Sequence, residues 1–178
     1  MTHAEQPVRP LRLFFALWPD GPTRSALAEW SRAIHCLSGG RATRPEMVHL
    51  TLAFLGDTDP ATLPAIEAAG ACAWTRPFVL ALDEAGFWSH NKIAWAGART
   101  SPPELQTLVS GLRSALQAAG VRFDPKPFVP HLTLIRKGRP GFALPQLRPI
   151  SWPVRDVVLV RSTLTRTGSE YSIHARWD

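Results

Sequence analysis

The sequence predicts an α+β fold made of two pseudo-symmetric lobes, each an antiparallel sheet with helices on its outer face, with a groove between them. Three observations lead there. The order strand, helix, strand occurs twice; the second strand of each set carries the same tetrapeptide, His-Leu-Thr-Leu, at 49–52 and 131–134; and short apolar stretches ending in Gly or Pro clusters alternate with longer stretches of helical periodicity. With 6 His, 21 Leu and 13 Thr in 178 residues, one such tetrapeptide is expected by chance about 0.006 times, so its recurrence reads as an internal repeat. This length suits one domain or two fused half-size lobes. No linker or break in composition separates independent units, so residues 1–10 read as a disordered leader and residues 11–178 as a single bilobal domain.

Residues 11–18 are dense in apolar and aromatic side chains and run into Pro19-Asp20-Gly21-Pro22, which predicts a short buried strand ended by a turn. Asp20 is placed to cap a helix, Pro22 suits its first turn, and Leu27, Trp30, Ile34 and Leu37 mark its buried face until Gly39-Gly40 stops it. Residues 48–55 then form a strand. Residues 61–74 predict a second helix, and 78–82 and 86–88 two strands. The second copy of the repeat follows: a strand over 92–97, a helix opened by Pro102-Pro103 with Leu105, Leu108, Leu112 and Leu116 on one face, Gly120 to end it, and a strand over 129–135. Residues 139–153 hold four prolines and read as a loop. A strand pair over 154–164 and 171–177 turns at Thr167-Gly168-Ser169.

Composition excludes several classes. The longest apolar run, Leu13 to Trp18, has six residues, whereas a membrane helix needs about 20. No basic start followed by an apolar stretch suggests a secretory signal, so a cytoplasmic protein without membrane attachment is expected. Cys36 and Cys72, alone and far apart, read as inert core thiols. The net charge of +6, with 17 of the 20 basic residues being Arg, fits a partner that carries phosphate without requiring one.

Alternation along a strand puts His49 and Thr51 on one face and Leu50 and Leu52 on the other, and the same holds for His131, Thr133, Leu132 and Leu134. The leucines are expected to anchor each strand on the helices of its own lobe. A twofold relation between lobes would bring two imidazoles and two hydroxyls to one point. Imidazole, with an unperturbed pKa of about 6.5, can act as base or acid near neutrality, and hydroxyls can donate to phosphate oxygens. The single histidines His35, His90 and His174 read as ordinary core or surface residues. His49 and His131 lack further metal ligands at recognisable spacing, and neither a nucleophile elbow nor a phosphate loop is present, so no metal and no cofactor are expected.

Paired His-x-Thr-x motifs 82 residues apart in a repeated chain resemble the two-histidine phosphoesterase superfamily, and within it the RNA 2′,3′-cyclic phosphodiesterases, also called 2′-5′ RNA ligases. The resemblance is carried by residues 12–17, 49–56 and 130–136, and by Arg161, Ser162 and Tyr171. It implies metal-free opening of a 2′,3′-cyclic phosphate at an RNA or nucleotide end to leave a 2′-phosphate, with ligation of a 5′-hydroxyl as the reverse reaction. His49 and His131 become the catalytic pair, with His131 read as base and His49 as acid, although the symmetry of the motifs permits the swap. Thr51 and Thr133 would hold phosphate oxygens. Arg136, at the position that Phe54 occupies in the first copy, would steady phosphate or product. Phe14, Phe54 and Phe128 are candidates to stack against the RNA end as well as to fill the core, and Tyr171 is carried by the resemblance alone. A monomer is expected. Two other readings remain at this stage: a module that binds RNA ends without cleaving them, and a related phosphodiesterase acting on another cyclic or 2′-5′ nucleotide.

Overall fold

The computed structural model describes residues 9–166 and 168–178. Most of the expected leader (residues 1–8) and Thr167 of the expected turn lie outside them. In chain order the elements are β1 (Leu11–Leu17), α1 (Gly21–Ser38), β2 (Arg41–Ala42), β3 (Leu50–Thr58), α2 (Leu63–Ala73), β4 (Phe78–Leu82), β5 (Glu84–Trp88), β6 (Ile93–Gly97), α3 (Pro103–Ala118), β7 (Leu132–Arg136), β8 (Ile150–Val154), β9 (Val157–Thr165) and β10 (Gly168–Trp177).

Local chemistry explains the helix ends. The Asp20 carboxylate accepts the Thr23 N–H at 2.9 Å, Pro22 sits in the first turn of α1, and Gly39 at φ +59° lets the chain leave the helix. The buried face of α1 runs through Leu27, Trp30, Ile34 and Ser38, and Leu37 is 51% exposed, so the apolar stripe ends one residue away from where its spacing placed it. Both cysteines are exposed, contrary to the core role expected of them. Cys36 lies two residues beyond Ile34, and Cys72 sits between the inward Ala69 and Gly70 and the inward Ala73, so each falls on the outer side of its helix.

All pairing is antiparallel, in one eight-stranded sheet of order β10-β9-β1-β3-β7-β6-β5 with β2 also on β7, and a small second sheet of β4 and β8. The two halves therefore share one sheet, joined where Leu50 pairs with Leu132, the equivalent residues of the two tetrapeptides. Beyond that pair β3 and β7 run in opposite directions, away from each other. The helices are exchanged between halves: α1 packs on β7 and α3 on β3, so each His-Leu-Thr-Leu strand lies against the other repeat's helix and not its own. Leu50, Leu132 and Leu134 are at most 1% exposed in the main core, which also holds Leu13, Phe15 and Leu17 of β1.

The proline-rich region read as loop contains β8. Ile150, Trp152 and Val154 point inward while Ser151 and Pro153 do not, and Pro153 is tolerated because β8 belongs to a sheet of only two strands. Arg155 and Asp156 separate β8 from β9, so the single strand expected over 154–164 is interrupted at its start. No helix among the described residues is long and apolar enough to cross a membrane.

Candidate active site

His49 and His131 each occupy the residue immediately before their strand. Extending the Leu50–Leu132 register by one residue in either direction sets His49 across from Thr133 and Thr51 across from His131, all four on the face opposite the leucines. That face opens into a cleft of about 760 Å³, lined by both histidines, both threonines, Arg136 and Tyr171. Its other walls come from residues 41–44 and Met47 on one side and from Thr165, Gly168, Ser169 and Glu170 at the β9–β10 turn on the other.

Strict alternation would turn Arg136 away from His131 and Thr133. A bulge reverses this: in the β6–β7 pairing Ala94 faces Ile135 and Trp95 faces Thr133, so Leu134 is skipped, and Leu134 and Ile135 are buried in succession. The first copy has the same irregularity at the same place. Phe15 pairs with Ala53 and Ala16 with Thr51, skipping Leu52, and Leu52 and Ala53 are both buried. Each bulge carries the fifth residue after the histidine back to the cleft face, Arg136 in one copy and Phe54 in the other.

The imidazoles are held alike at one nitrogen. His49 Nδ1 lies 2.7 Å from the Met47 carbonyl and His131 Nδ1 lies 2.8 Å from the Val129 carbonyl. A carbonyl only accepts, so each Nδ1 carries the hydrogen and each Nε2 is left with a free lone pair. The surroundings differ. Trp18 stacks on His49 at 5.1 Å with 5° between planes, Phe14 lies at 4.9 Å, and Tyr171 meets the ring edge-on at 5.4 Å. His131 has Trp88 against it at 4.7 Å and 71°. Burial pushes the His49 pKa down to about 4 from 6.5, more than the Met47 carbonyl offsets, with the positive charge of Arg136 and the neighbouring His131 acting in the same direction. Burial and Arg136 lower His131 as well.

Phe14, Phe54 and Phe128 do not line the cleft. Phe14 is buried behind His49, Phe54 packs beside Phe14 with the Arg12 guanidinium 4.8 Å from its ring centroid, and Phe128 lies against the main core. Of the single histidines, His174 binds Glu67 at 3.0 Å, His35 reaches the Gly40 carbonyl, and His90 neighbours Trp88; none is in the cleft. Sequence reasoning passed over Trp18, Trp88, Arg41, Arg44 and Glu170. Trp18 was within reach as the last aromatic of the opening strand. Arg41 belongs to a strand of two residues, too short to show a period.

Among the described residues no three His, Cys, Asp or Glu side chains gather in a way that would hold a metal ion. The family model described as LigT like Phosphoesterase matches residues 17–95 and again 98–171, one match for each half. The chain belongs to the LigT-like phosphoesterase family. The RNA 2′,3′-cyclic phosphodiesterase of Escherichia coli is 31% identical to this LigT-like chain over 169 residues, 94% of this chain and 96% of its own. The enzyme of the same name from Thermus thermophilus is 30% identical, covering 92% and 87%. The crystal structure of E. coli LigT complexed with 3′-AMP superposes with a TM-score of 0.85 at 32% identity, over 94% of this chain and 97% of that one.

Proposed function

We propose that this chain opens 2′,3′-cyclic phosphate ends of RNA to 2′-phosphate ends by acid–base catalysis between His49 and His131, with the joining of a 5′-hydroxyl to the cyclic end as the reverse reaction. The observation that carries the reading is the matched pair of imidazoles in one cleft, each fixed at Nδ1 and each left with an available Nε2. In the forward direction one imidazole takes a proton from water as its oxygen bonds to phosphorus. The bond from phosphorus to the 3′-oxygen breaks, and the other imidazole gives that oxygen a proton, leaving a 2′-phosphate and a 3′-hydroxyl. The hydroxyls of Thr51 and Thr133 donate to the non-bridging oxygens, and Arg136 adds positive charge where negative charge builds up.

Burial separates the two roles. His49, the more deeply enclosed ring, is neutral at rest and acts as base; His131, less enclosed, holds a proton more readily once an anionic phosphate is seated and acts as acid. This reverses the assignment read from the sequence. With the base titrating below the acid, the productive protonation state is the dominant one between them. Phe14 and Tyr171 orient the His49 ring from behind and from its edge. Both imidazoles come from one chain, which supports residues 11–178 working as a single unit and as a monomer, and an RNA-end substrate points to the cytoplasm.

The test is product analysis on a short RNA ending in a 2′,3′-cyclic phosphate, in excess EDTA. A 2′-phosphate product formed at an undiminished rate is expected. A 3′-phosphate product, or complete loss of turnover with the chelator, overturns the mechanism; tight binding without turnover leaves a module that only recognises ends.

A further inference from the structure

We propose that Arg41, beside Arg136, seats the phosphodiester one nucleotide upstream of the cyclic end, so that the preferred substrate is an oligonucleotide and not a cyclic mononucleotide. The inference rests on the reading of the histidine pair given above and names the substrate class that site takes.

Arg41 and Arg136 are directly paired residues of β2 and β7, both exposed and both on the cleft wall. Like charges set opposite each other across two strands destabilise the pair. Among the described residues neither guanidinium has a carboxylate partner, whereas the third arginine of that wall, Arg44, lies 3.5 Å from Glu46 and also donates to the Met47 sulfur. An anion between Arg41 and Arg136 removes the repulsion.

A phosphodiester presents two unesterified oxygens, one to each guanidinium, which suits arginine better than lysine. The position also fits the chemistry. Thr133 and Arg136 are three residues apart on β7, but the bulge at Leu134 shortens the span to that of two residues on the paired strand, Trp95 to Ile93, roughly 7 Å. One nucleotide and two long side chains span that distance, with Arg136 between the cyclic phosphate and the next one. The wall carrying the pair is the edge of β7 that β2 and β3 share, so the RNA strand would run along the seam between the two halves.

The experiment compares a 2′,3′-cyclic mononucleotide, a dinucleotide with the same cyclic end, and that dinucleotide with a neutral methylphosphonate link, in the intact protein and in Arg41→Ala. The intact protein is expected to favour the charged dinucleotide by about tenfold or more in kcat/KM, the range of a charge-assisted contact. Arg41→Ala should abolish that preference, Arg41→Lys should restore part of it, and mononucleotide turnover should stay within about twofold. Binding of the dinucleotide 2′-phosphate product should also lose about 0.7 in its log–log salt slope in Arg41→Ala, the share of one phosphate contact on a single strand. Equal loss on all three substrates, or no preference in the intact protein, overturns the proposal. If no substrate turns over, the catalytic reading fails, and the salt slope of product binding still decides whether Arg41 holds a phosphate.

Discussion

The two histidine seats contain the same four-residue motif and the same Nδ1 anchor, yet they are built for different proton affinities. His49 is packed among Trp18, Phe14 and Tyr171, aromatic residues supplied by β1, the residue following it, and β10. His131 meets the edge of Trp88 and otherwise opens to the cleft. The repeat sets where the imidazoles stand, while residues outside the motif set how deeply each one is enclosed. Position five after each histidine shows the same division, since matched bulges bring Phe54 to the cleft side in one half, where it packs with Phe14, and Arg136 into the cleft in the other.

The largest effect tests whether the two seats act as one device. His49→Ala and His131→Ala are each expected to lower kcat on a cyclic-ended dinucleotide by about 10²–10⁴-fold, the usual worth of a positioned acid or base. The double variant should lose little beyond the worse single variant, because groups that act in one step are not additive. Losses that multiply in the double variant would mean that the two rings serve separate steps.

A second, smaller effect separates the seats by stability. The His49 pKa falls to about 4 in the folded chain from 6.5, so the folded state binds this proton more weakly than the unfolded state does. Its contribution is therefore complete above pH 6.5 and is lost as the pH falls to about 4, roughly 3 kcal/mol over the window. Denaturant unfolding at pH 7 and at pH 4.5 should show His49→Gln losing less stability on acidification than the intact protein, with His131→Gln flattening the profile less. Equal flattening by both would show that the aromatic enclosure of His49 does not set the difference.

The site was more legible than the frame around it, for a physical reason. Two copies of His-Leu-Thr-Leu state residue type and facing at once, because a strand's alternation follows from its backbone. The Leu50–Leu132 join and the exchange of helices between halves are long-range choices that no local pattern encodes. Alternation alone would turn Arg136 away from the cleft; the resemblance pointed to it as a site residue, and the bulge at Leu134 is the local feature that a strand reading could not supply. At β8 the alternation of Ile150, Trp152 and Val154 was present, but the prolines around it pointed to loop; a two-stranded sheet leaves edges on which Pro153 costs no ladder bond. The cysteines count as apolar residues in helices, yet the angular positions of their neighbours put them outside, while Leu37 keeps the helical spacing from Ile34 and is displaced because the last turn of α1 presents Ser38 to the core.

The finest test exchanges the enclosures without touching either histidine. Trp18→Ala removes the stacked indole and lets water reach His49, so its pKa rises towards 6.5; since the base must be neutral, the acidic limb of the kcat/KM profile should move to higher pH by on the order of one unit. Trp88→Ala loosens the seat of the acid instead, so the alkaline limb should move, in the same direction and by less, because His131 begins less enclosed. Each variant thus shifts one limb and leaves the other in place, which a general loss of packing would not do. The opposite pattern, Trp18→Ala moving the alkaline limb and Trp88→Ala the acidic one, would return the base to His131 and the acid to His49 while leaving the paired mechanism intact. Carbon-bound proton shifts of the two imidazoles, followed by NMR through the same pH range, link each limb to its ring.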